Sequence, residues 1–169
     1  SSDLDGGNRY ITVTPPDSYC AAGQALPCHM RAERAVFAYS PEQGLPDSLY
    51  IGASGRYLDN GTDYRDWNPV VLKINPASTV PDSNFGNGGW ASTWFNDPNS
   101  DFNDRLVGLV VKQGAVEDDV YVTTQVSRQC ADGIGVARFG MNGQLEPAFG
   151  NGGKLLFGER RHAREPRDD

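Results

Sequence analysis

The sequence predicts an all-β protein built from many short strands, and its composition and apolar pattern both point there. Glycine (20) and proline (11) are frequent, while hydrophobic residues make up a modest 38% of the 169 residues. This mixture is typical of short strands joined by turns. No segment sustains the 3.6-residue apolar period of an amphipathic helix, so we expect almost no helix.

A third observation is an internal repeat. The sequence Phe-Gly-Asn-Gly-Gly occurs at 85–89 and again 64 residues later at 149–153. In both places an apolar run and a turn precede the motif, and a second apolar run follows it. A fixed period of this kind is the signature of stacked repeat architectures.

The repeat divides the chain into two units of four predicted strands. The strands are predicted at 34–39, 49–53, 70–74 and 90–95 in the first unit, and at 105–112, 119–122, 134–139 and 154–157 in the second. Four short strands per unit at this period predict a β-propeller blade. We therefore expect a propeller portion with two four-stranded antiparallel blades, at 32–95 and 96–157.

An N-terminal strand is predicted to belong to another blade. The β-branched run Tyr10–Thr14 follows Gly6-Gly7, just as strands follow Gly88-Gly89 and Gly152-Gly153. Residues 1–14 are therefore expected to form the outer strand of a closing blade. A cysteine loop at 15–31 would then lead into the first complete blade.

The repeat resembles the delta-60 repeats of bacterial secreted and surface β-propeller proteins. The likeness lies in the order of apolar strand, Asn-Pro or Asn-Gly turn, Phe-Gly-x-Gly-Gly and apolar strand, over 34–157 and a fragment at 7–14. The first copy departs from it, because 75–79 lacks the turn glycine that the second copy has at Gly143. The resemblance implies a propeller fold and a secreted, extracellular or periplasmic location, including the bacterial cell surface. It implies little about activity.

The repeated motif is predicted to be structural. The two phenylalanines would plug the core under a turn, and the glycines would permit positive φ and close backbone approach. The alternative is that the aromatic rings bind a ligand. The motif residues are Phe85, Gly86, Gly88, Gly89, Phe149, Gly150, Gly152 and Gly153.

Charge and hydropathy exclude two classes of partner. The net charge is −7, and no basic stripe occurs outside the C-terminal tail, which argues against nucleic acid. No apolar run approaches the 18 residues or so that a membrane-spanning helix needs.

Length differences between the two units predict where a ligand would bind. The connection between the second and third strands is 7 residues longer in the first unit, and the loop that enters this unit is 11 residues longer. In a four-stranded antiparallel blade both connections emerge at the same end, where binding residues tend to lie. The acidic, aromatic stretch at 57–67 supplies candidates for binding a protein or glycan. A solvated insertion that packs its own tryptophan is the simpler interpretation. The candidates are Tyr57, Asp63, Tyr64, Asp66 and Trp67.

A second candidate site is a weak calcium motif, and no catalytic residue is predicted. Alternating oxygen-bearing residues at Asp97, Asn99, Asp101 and Asn103 resemble calcium ligands. However, Phe102 and Gly108 occupy the positions at which an EF-hand loop has Gly and Glu. Calcium is the only cofactor that the sequence suggests. The two histidines are too few for a His-rich zinc site, and 52–55 is not a nucleophile elbow.

The three cysteines predict one local disulfide. Cys20 and Cys28 lie eight residues apart in a loop that contains Pro and Gly, which suits a disulfide in an oxidising compartment. Cys130 would then be free or bonded to another chain. Two alternatives stay open: three free thiols, or a bond from Cys130 to one of the other two, since all three are expected at the same end of the blades.

Two functions follow as hypotheses. The first is a secreted non-enzymatic propeller that binds a protein or glycan through the long loops at one end. The second is a hydrolase or lyase whose catalytic residues lie mostly on blades outside this chain. Either would need a second polypeptide or further blades, because two blades cannot close a ring. The start at Ser1-Ser2 suggests a processed product, and the charged tail at 158–169, with Arg160-Arg161, is expected to be flexible and a processing site.

Overall fold

The described part of the chain consists of two antiparallel β-sheets. The structure, a computed structural model, describes residues 30–39, 46–59, 63–95, 103–114, 118–128 and 131–161. Within these ranges there are nine strands and no helix, so the all-β class is confirmed there. The strand predicted at 10–14 lies outside the described residues.

The first sheet is formed by five strands. Its members are β1 (Met30–Tyr39), β2 (Pro46–Asp59), β3 (Asp63–Asn75), the two-residue β4 (Val80–Pro81) and β5 (Trp90–Ser92). Strands β1, β2 and β3 pair in sequence order, and both β4 and β5 pair with β3. The fourth predicted strand of this unit is thus shorter than expected, because it ends at Ser92 rather than Phe95.

The second sheet repeats this arrangement with four strands. It contains β6 (Asp104–Lys112), β7 (Asp119–Arg128), β8 (Ala131–Phe139) and β9 (Lys154–Arg161), paired in that order. All four lie where the sequence predicted strands. Strand β9 differs at its end: it continues to Arg161 by pairing with β8, so the first four residues of the predicted flexible tail are strand residues.

The two units share the same aromatic contact, which identifies equivalent residues. The Phe85 ring meets the Tyr50 ring edge-on, with centroids 5.8 Å apart and an interplanar angle of 77°. The Phe149 ring meets the Tyr121 ring in the same way, at 5.7 Å and 81°. Edge-to-face geometry is favourable for aromatic pairs. The sequence repeat is therefore also a repeat of side-chain packing.

A cation covers the tyrosine in each unit. Lys73 Nζ lies 5.6 Å from the Tyr50 centroid, and Arg138 Cζ lies 5.9 Å from the Tyr121 centroid. Each cation is also ion-paired: Lys73 Nζ is 2.9 Å from Asp82 Oδ2, while Arg138 Nη2 is 2.7 Å from an oxygen of Asp119. The tyrosine–cation pair thus occurs in both units, with a different acidic partner in each.

The turn before the motif differs between the two units in its length and in the residue at its positive-φ position. The N–H of Asp82 donates to Lys73 O, and the N–H of Glu146 donates to Arg138 O, both at 2.9 Å. Counting along the chain, the first turn is one residue longer, so one of the seven extra residues assigned to the second-to-third connection lies in this turn instead. Thr79 and Gly143 both stand six residues before their motif phenylalanine, and both have positive φ, 59° and 72°. A β-branched residue is strained in this region, so the turn glycine missing from the first copy leaves strain at Thr79.

We expect Thr79→Gly to stabilise the protein. Removing the strain of threonine at positive φ should stabilise the fold by about 1–2 kcal/mol. The greater conformational entropy of glycine in the unfolded chain offsets about 0.5–1 kcal/mol of this gain. A net gain of about 1 kcal/mol should raise Tm by a few degrees in thermal unfolding. Ser78→Gly is the control, since Ser78 lies in the same exposed turn without positive φ and should lose stability. Equal effects of the two substitutions would contradict strain at Thr79.

One face of the first sheet packs on the second sheet, and strand β6 lies in the contact. A Cβ added to Gly52 would lie 3.1 Å from Leu106 Cδ1, so the two backbones approach closely there. The N–H of Leu106 donates to Ser54 Oγ at 3.0 Å. The shared core is formed by buried residues of both sheets: Ala38, Tyr50, Val71, Phe85, Ala91, Leu106, Leu109, Val120, Val122, Ala137 and Phe139.

A tyrosine–carboxylate hydrogen bond joins the sheets beside the motif. The Tyr50 hydroxyl donates to Asp118 Oδ2 at 3.4 Å. Burial, and then the negative charge of Asp118, raise the pKa of the Tyr50 phenol well above its ordinary value. Burial also raises the pKa of Asp118, with a further contribution from Asp47. The phenol therefore keeps its proton and acts as a donor across the sheet contact.

The motif itself also reaches the neighbouring sheet. The N–H of Gly86 donates to Asn142 O at 2.7 Å, and Asn142 lies in the turn that follows β8. Gly143, next in that turn, is buried, and a Cβ added there would overlap the backbone nitrogen of Gly86. The first Phe-Gly motif therefore fits against a turn that must carry glycine.

The opposite face of the first sheet carries a second apolar cluster. Its buried members are Val70, Leu72, Ile74 and Trp90, with Met30, Leu49 and Ile51 packed against them. These residues alternate along their strands with those of the shared core, as the two faces of a sheet require. The first sheet is thus apolar and buried on both faces.

Candidate functional site

The long second-to-third connection of the first unit is a strand extension. The strands predicted at 49–53 and 70–74 left the residues between them as a connecting insertion, and the pairing of β2 with β3 corrects this prediction. Strands β2 and β3 are 14 and 13 residues long, against 10 and 9 for β7 and β8. Their pairing continues as far as Asp59 opposite Asp63. We call residues 56–59 and 63–67 the hairpin arm.

The arm contains a β-bulge at its centre. The register passes from Arg56 opposite Trp67 to Leu58 opposite Tyr64, so one residue of β2 faces two of β3. Tyr57 is the residue opposite the bulge, and Asp66 is one of the two bulged residues. Bulges redirect side chains and occur often beside functional sites. The structure places Tyr57, Asp63, Tyr64 and Asp66 on arm strands by their backbone, and their side chains lie outside what it describes.

Trp67 anchors the base of the arm to the second sheet. Its backbone N–H donates to Asn103 Oδ1 at 3.3 Å. The Arg105 guanidinium lies 5.7 Å from the centroid of the Trp67 ring, a cation–π distance. The two sites that the sequence treated separately therefore meet, since Trp67 was a ligand candidate and Asn103 a calcium candidate. This contact could not be predicted from the sequence, because only the packing of the sheets brings two positions 36 residues apart together.

Two further hydrogen bonds hold the start of β6 in place. The N–H of Ser127 donates to Asn103 O at 2.9 Å, which ties β6 to the end of β7. The N–H of Phe95 donates to Asp104 Oδ2 at 2.7 Å, and Asp104 is fully buried. The start of β6, which contacts the base of the arm, is thus fixed by hydrogen bonds.

The predicted calcium ligands are mostly outside the described residues. Asp97, Asn99 and Asp101 lie there, and Asn103 uses its side-chain oxygen to accept from the arm. Among the residues that are described, no three or more His, Cys, Asp or Glu side chains come together as metal ligands would. Cys20, Cys28 and Cys130 also lie outside the described residues, as do both histidines.

The motif residues have the backbone conformation that the sequence predicted, with one difference in burial. All six motif glycines have positive φ, between 56° and 97°. A Cβ on Gly86 would overlap the carbonyl oxygen of Trp90, whereas one on Gly88 would meet nothing within 4 Å. Phe85 is fully buried. Phe149 is only half-buried, in contrast to the core plug expected at both positions.

A groove between the two sheets was not foreseen from the sequence. It has a volume of about 360 Å³ and lies between the β5 region and the start of β9, with Gln144 in its wall. Lys154 Nζ donates to Trp94 O at 2.9 Å and lies 5.7 Å from the Trp94 ring, half of whose surface is exposed. No signal marks this site in the sequence, because its residues come from different repeats.

Comparisons with known proteins assign no family. No family model, no curated protein and no solved structure matches this chain. In the described residues, no helix has the length and apolarity that crossing a membrane would require.

Proposed function

We propose that this chain is a non-enzymatic binding module of a secreted β-propeller, built from delta-60-like repeats, and that it binds a protein or glycan through the hairpin arm. The repeated Tyr–Phe contact and the equivalent strand order of the two sheets support the propeller half of this proposal. The hairpin arm supports the second part of the proposal, that the chain binds a protein or glycan.

One observation carries the choice of site: the hairpin of the first unit extends past the point where its equivalent in the second unit ends. Pairing stops at Arg128 opposite Ala131 in the second unit but continues to Asp59 opposite Asp63 in the first. The arm adds two strand segments to β2 and β3 at the end of the sheets where β6 begins. A feature added to one repeat does not serve the packing that both repeats share. Extensions of this kind on a rigid scaffold are where binding residues concentrate.

The composition of the arm suits a polar surface ligand. Tyr57 and Tyr64 can offer broad, rigid rings with a hydrogen-bonding tip, which cost little conformational entropy when they bind. Asp63 and Asp66 can accept hydrogen bonds from sugar hydroxyls or pair with cationic groups of a protein. A paired hairpin restricts its backbone more than a loop does, which lowers the entropy cost of binding.

The test is binding of the full chain to a printed glycan array and to a phage-displayed peptide library. We expect one of the two to give a ligand, and Tyr57→Ala and Tyr64→Ala to weaken its binding by tenfold or more with an unchanged Tm. Tyr39→Ala is the matched control, because Tyr39 is 47% exposed but ends β1, at the far end from the arm. Binding that survives both arm substitutions, or is lost equally in the control, would overturn the assignment of the site.

A further inference from the structure

The outer face of the second sheet is open, although its equivalent in the first sheet is buried. The equivalent pairs follow from the strand registers and the repeat of 64 residues. Phe157 is 51% exposed, whereas its equivalent Thr93 is 2% exposed. Phe149 is half-buried and Phe85 fully buried. The difference arises because the second sheet covers that face of the first.

The open face is apolar across all four strands. Val110 of β6 is 60% exposed, and Ile134 of β8 is 57% exposed. Ile134 pairs with Phe157 of β9, so these two residues lie side by side on the same face. Tyr121 of β7 also lies on this face, where Phe149 and Arg138 contact its ring. Exposed apolar residues on several strands of one sheet face mark an interaction site.

We propose that this face binds a further four-stranded sheet of the same repeat type, stacked on the second sheet as the second is stacked on the first. The proposal rests on the propeller half of the proposed function and is independent of the ligand. The internal contact specifies the chemistry of the partner sheet. It would present apolar residues as β6, β7 and β8 do, and a carboxylate to accept from the Tyr121 hydroxyl as Asp118 accepts from Tyr50.

The partner would also carry glycine in its pre-motif turn. In the internal contact this position is Gly143, and any side chain there would overlap the Gly86 nitrogen. Gly150 is the equivalent of Gly86 and is exposed, so the partner turn would sit against it.

These requirements exclude a second copy of this chain stacked through its first sheet. That sheet has Thr79 where the glycine is needed, and its turn is one residue longer. Its outer face is also already buried, with Val70 at 0% and Leu72 at 6% exposure. The second sheet of another copy already packs its equivalent face against its own first sheet. The proposed occupant is therefore a further repeat with a turn like that of the second unit.

The test extends the full chain after Asp169 by a further copy of residues 96–161 and compares urea unfolding midpoints. We expect the extended chain to unfold at a higher midpoint. Ile134→Lys in the original second unit should abolish this increase, yet leave the midpoint of the unextended chain unchanged because Ile134 is exposed there. In a control extension, threonine replaces the glycine that copies Gly143, and the increase should be lost.

Three outcomes would overturn the proposal. One is an extended chain with the midpoint of the unextended one, and another is an equal effect of Ile134→Lys in both chains. The third is an unextended chain that sediments as an oligomer and becomes monomeric with Ile134→Lys, because a second copy would then be the occupant. A failure of the glycan and peptide screens would leave these midpoints unaffected, so the two proposals can fail separately.

Discussion

Replacing Phe85 by alanine should lower the free energy of unfolding by about 3–5 kcal/mol, the range for a fully buried phenylalanine. The ring lies in the core that both sheets share and packs edge-on against Tyr50. Its loss leaves a cavity at the sheet contact, where the Tyr50–Asp118 hydrogen bond also lies. Urea denaturation monitored by circular dichroism would measure the change.

Phe149→Ala is the matched control for this substitution. The backbone around the two rings is the same, since each phenylalanine N–H donates three residues back and each carbonyl accepts from the last motif glycine, at 2.8–2.9 Å. The burial of the ring is the difference that this comparison tests. We therefore expect Phe149→Ala to cost about 1–2 kcal/mol. Equal losses at the two positions would show that the second sheet is not the source of Phe85's contribution.

The strands could be predicted because their signals are local and occur twice. Val70–Ile74 and Ile134–Phe139 are apolar runs that each precede the same Phe-Gly motif, and both are strands. The burial difference between Phe85 and Phe149 could not be predicted in this way. Both stand in an identical five-residue motif, and what separates them is whether another sheet lies over the ring.

The hairpin arm was missed although one signal for it was present. Asn60-Gly61 is the dipeptide that most strongly indicates a tight hairpin, and it stands between the segments that pair in the arm. The residues around it are a mixture of charged and aromatic types without the regular apolar–polar alternation of a strand packed on a core. This pattern is missing because the arm extends beyond the core of the sheet. The pairing of Trp67 with Asn103 could not be predicted from any pattern, since it depends on how the two sheets stack.

The motif glycines differ in what an added Cβ would contact. Substituting two of them separates the cost of a steric clash from the cost of positive φ. Gly86→Ala should be among the most damaging single changes in the described part of the chain. Its φ is 56°, and the added Cβ would overlap the carbonyl oxygen of Trp90. That carbonyl accepts from the Asn87 N–H at 2.7 Å, and the Gly86 N–H bonds Asn142 of the next sheet. The motif would have to open, at a total cost of about 4 kcal/mol from strain and overpacking.

Gly88→Ala supplies the comparison within the same motif. Gly88 has nearly the same φ, 61°, but an added Cβ meets nothing within 4 Å. Gly88→Ala should therefore lower the free energy of unfolding only by the strain of alanine in the left-handed conformation, about 1–2 kcal/mol. The urea unfolding midpoints of the two variants should be compared. The difference between them measures how much the close backbone approach at Gly86 contributes. If Gly86→Ala is as mild as Gly88→Ala, the tight fit of the first motif between β5 and the turn after β8 is not what requires glycine there.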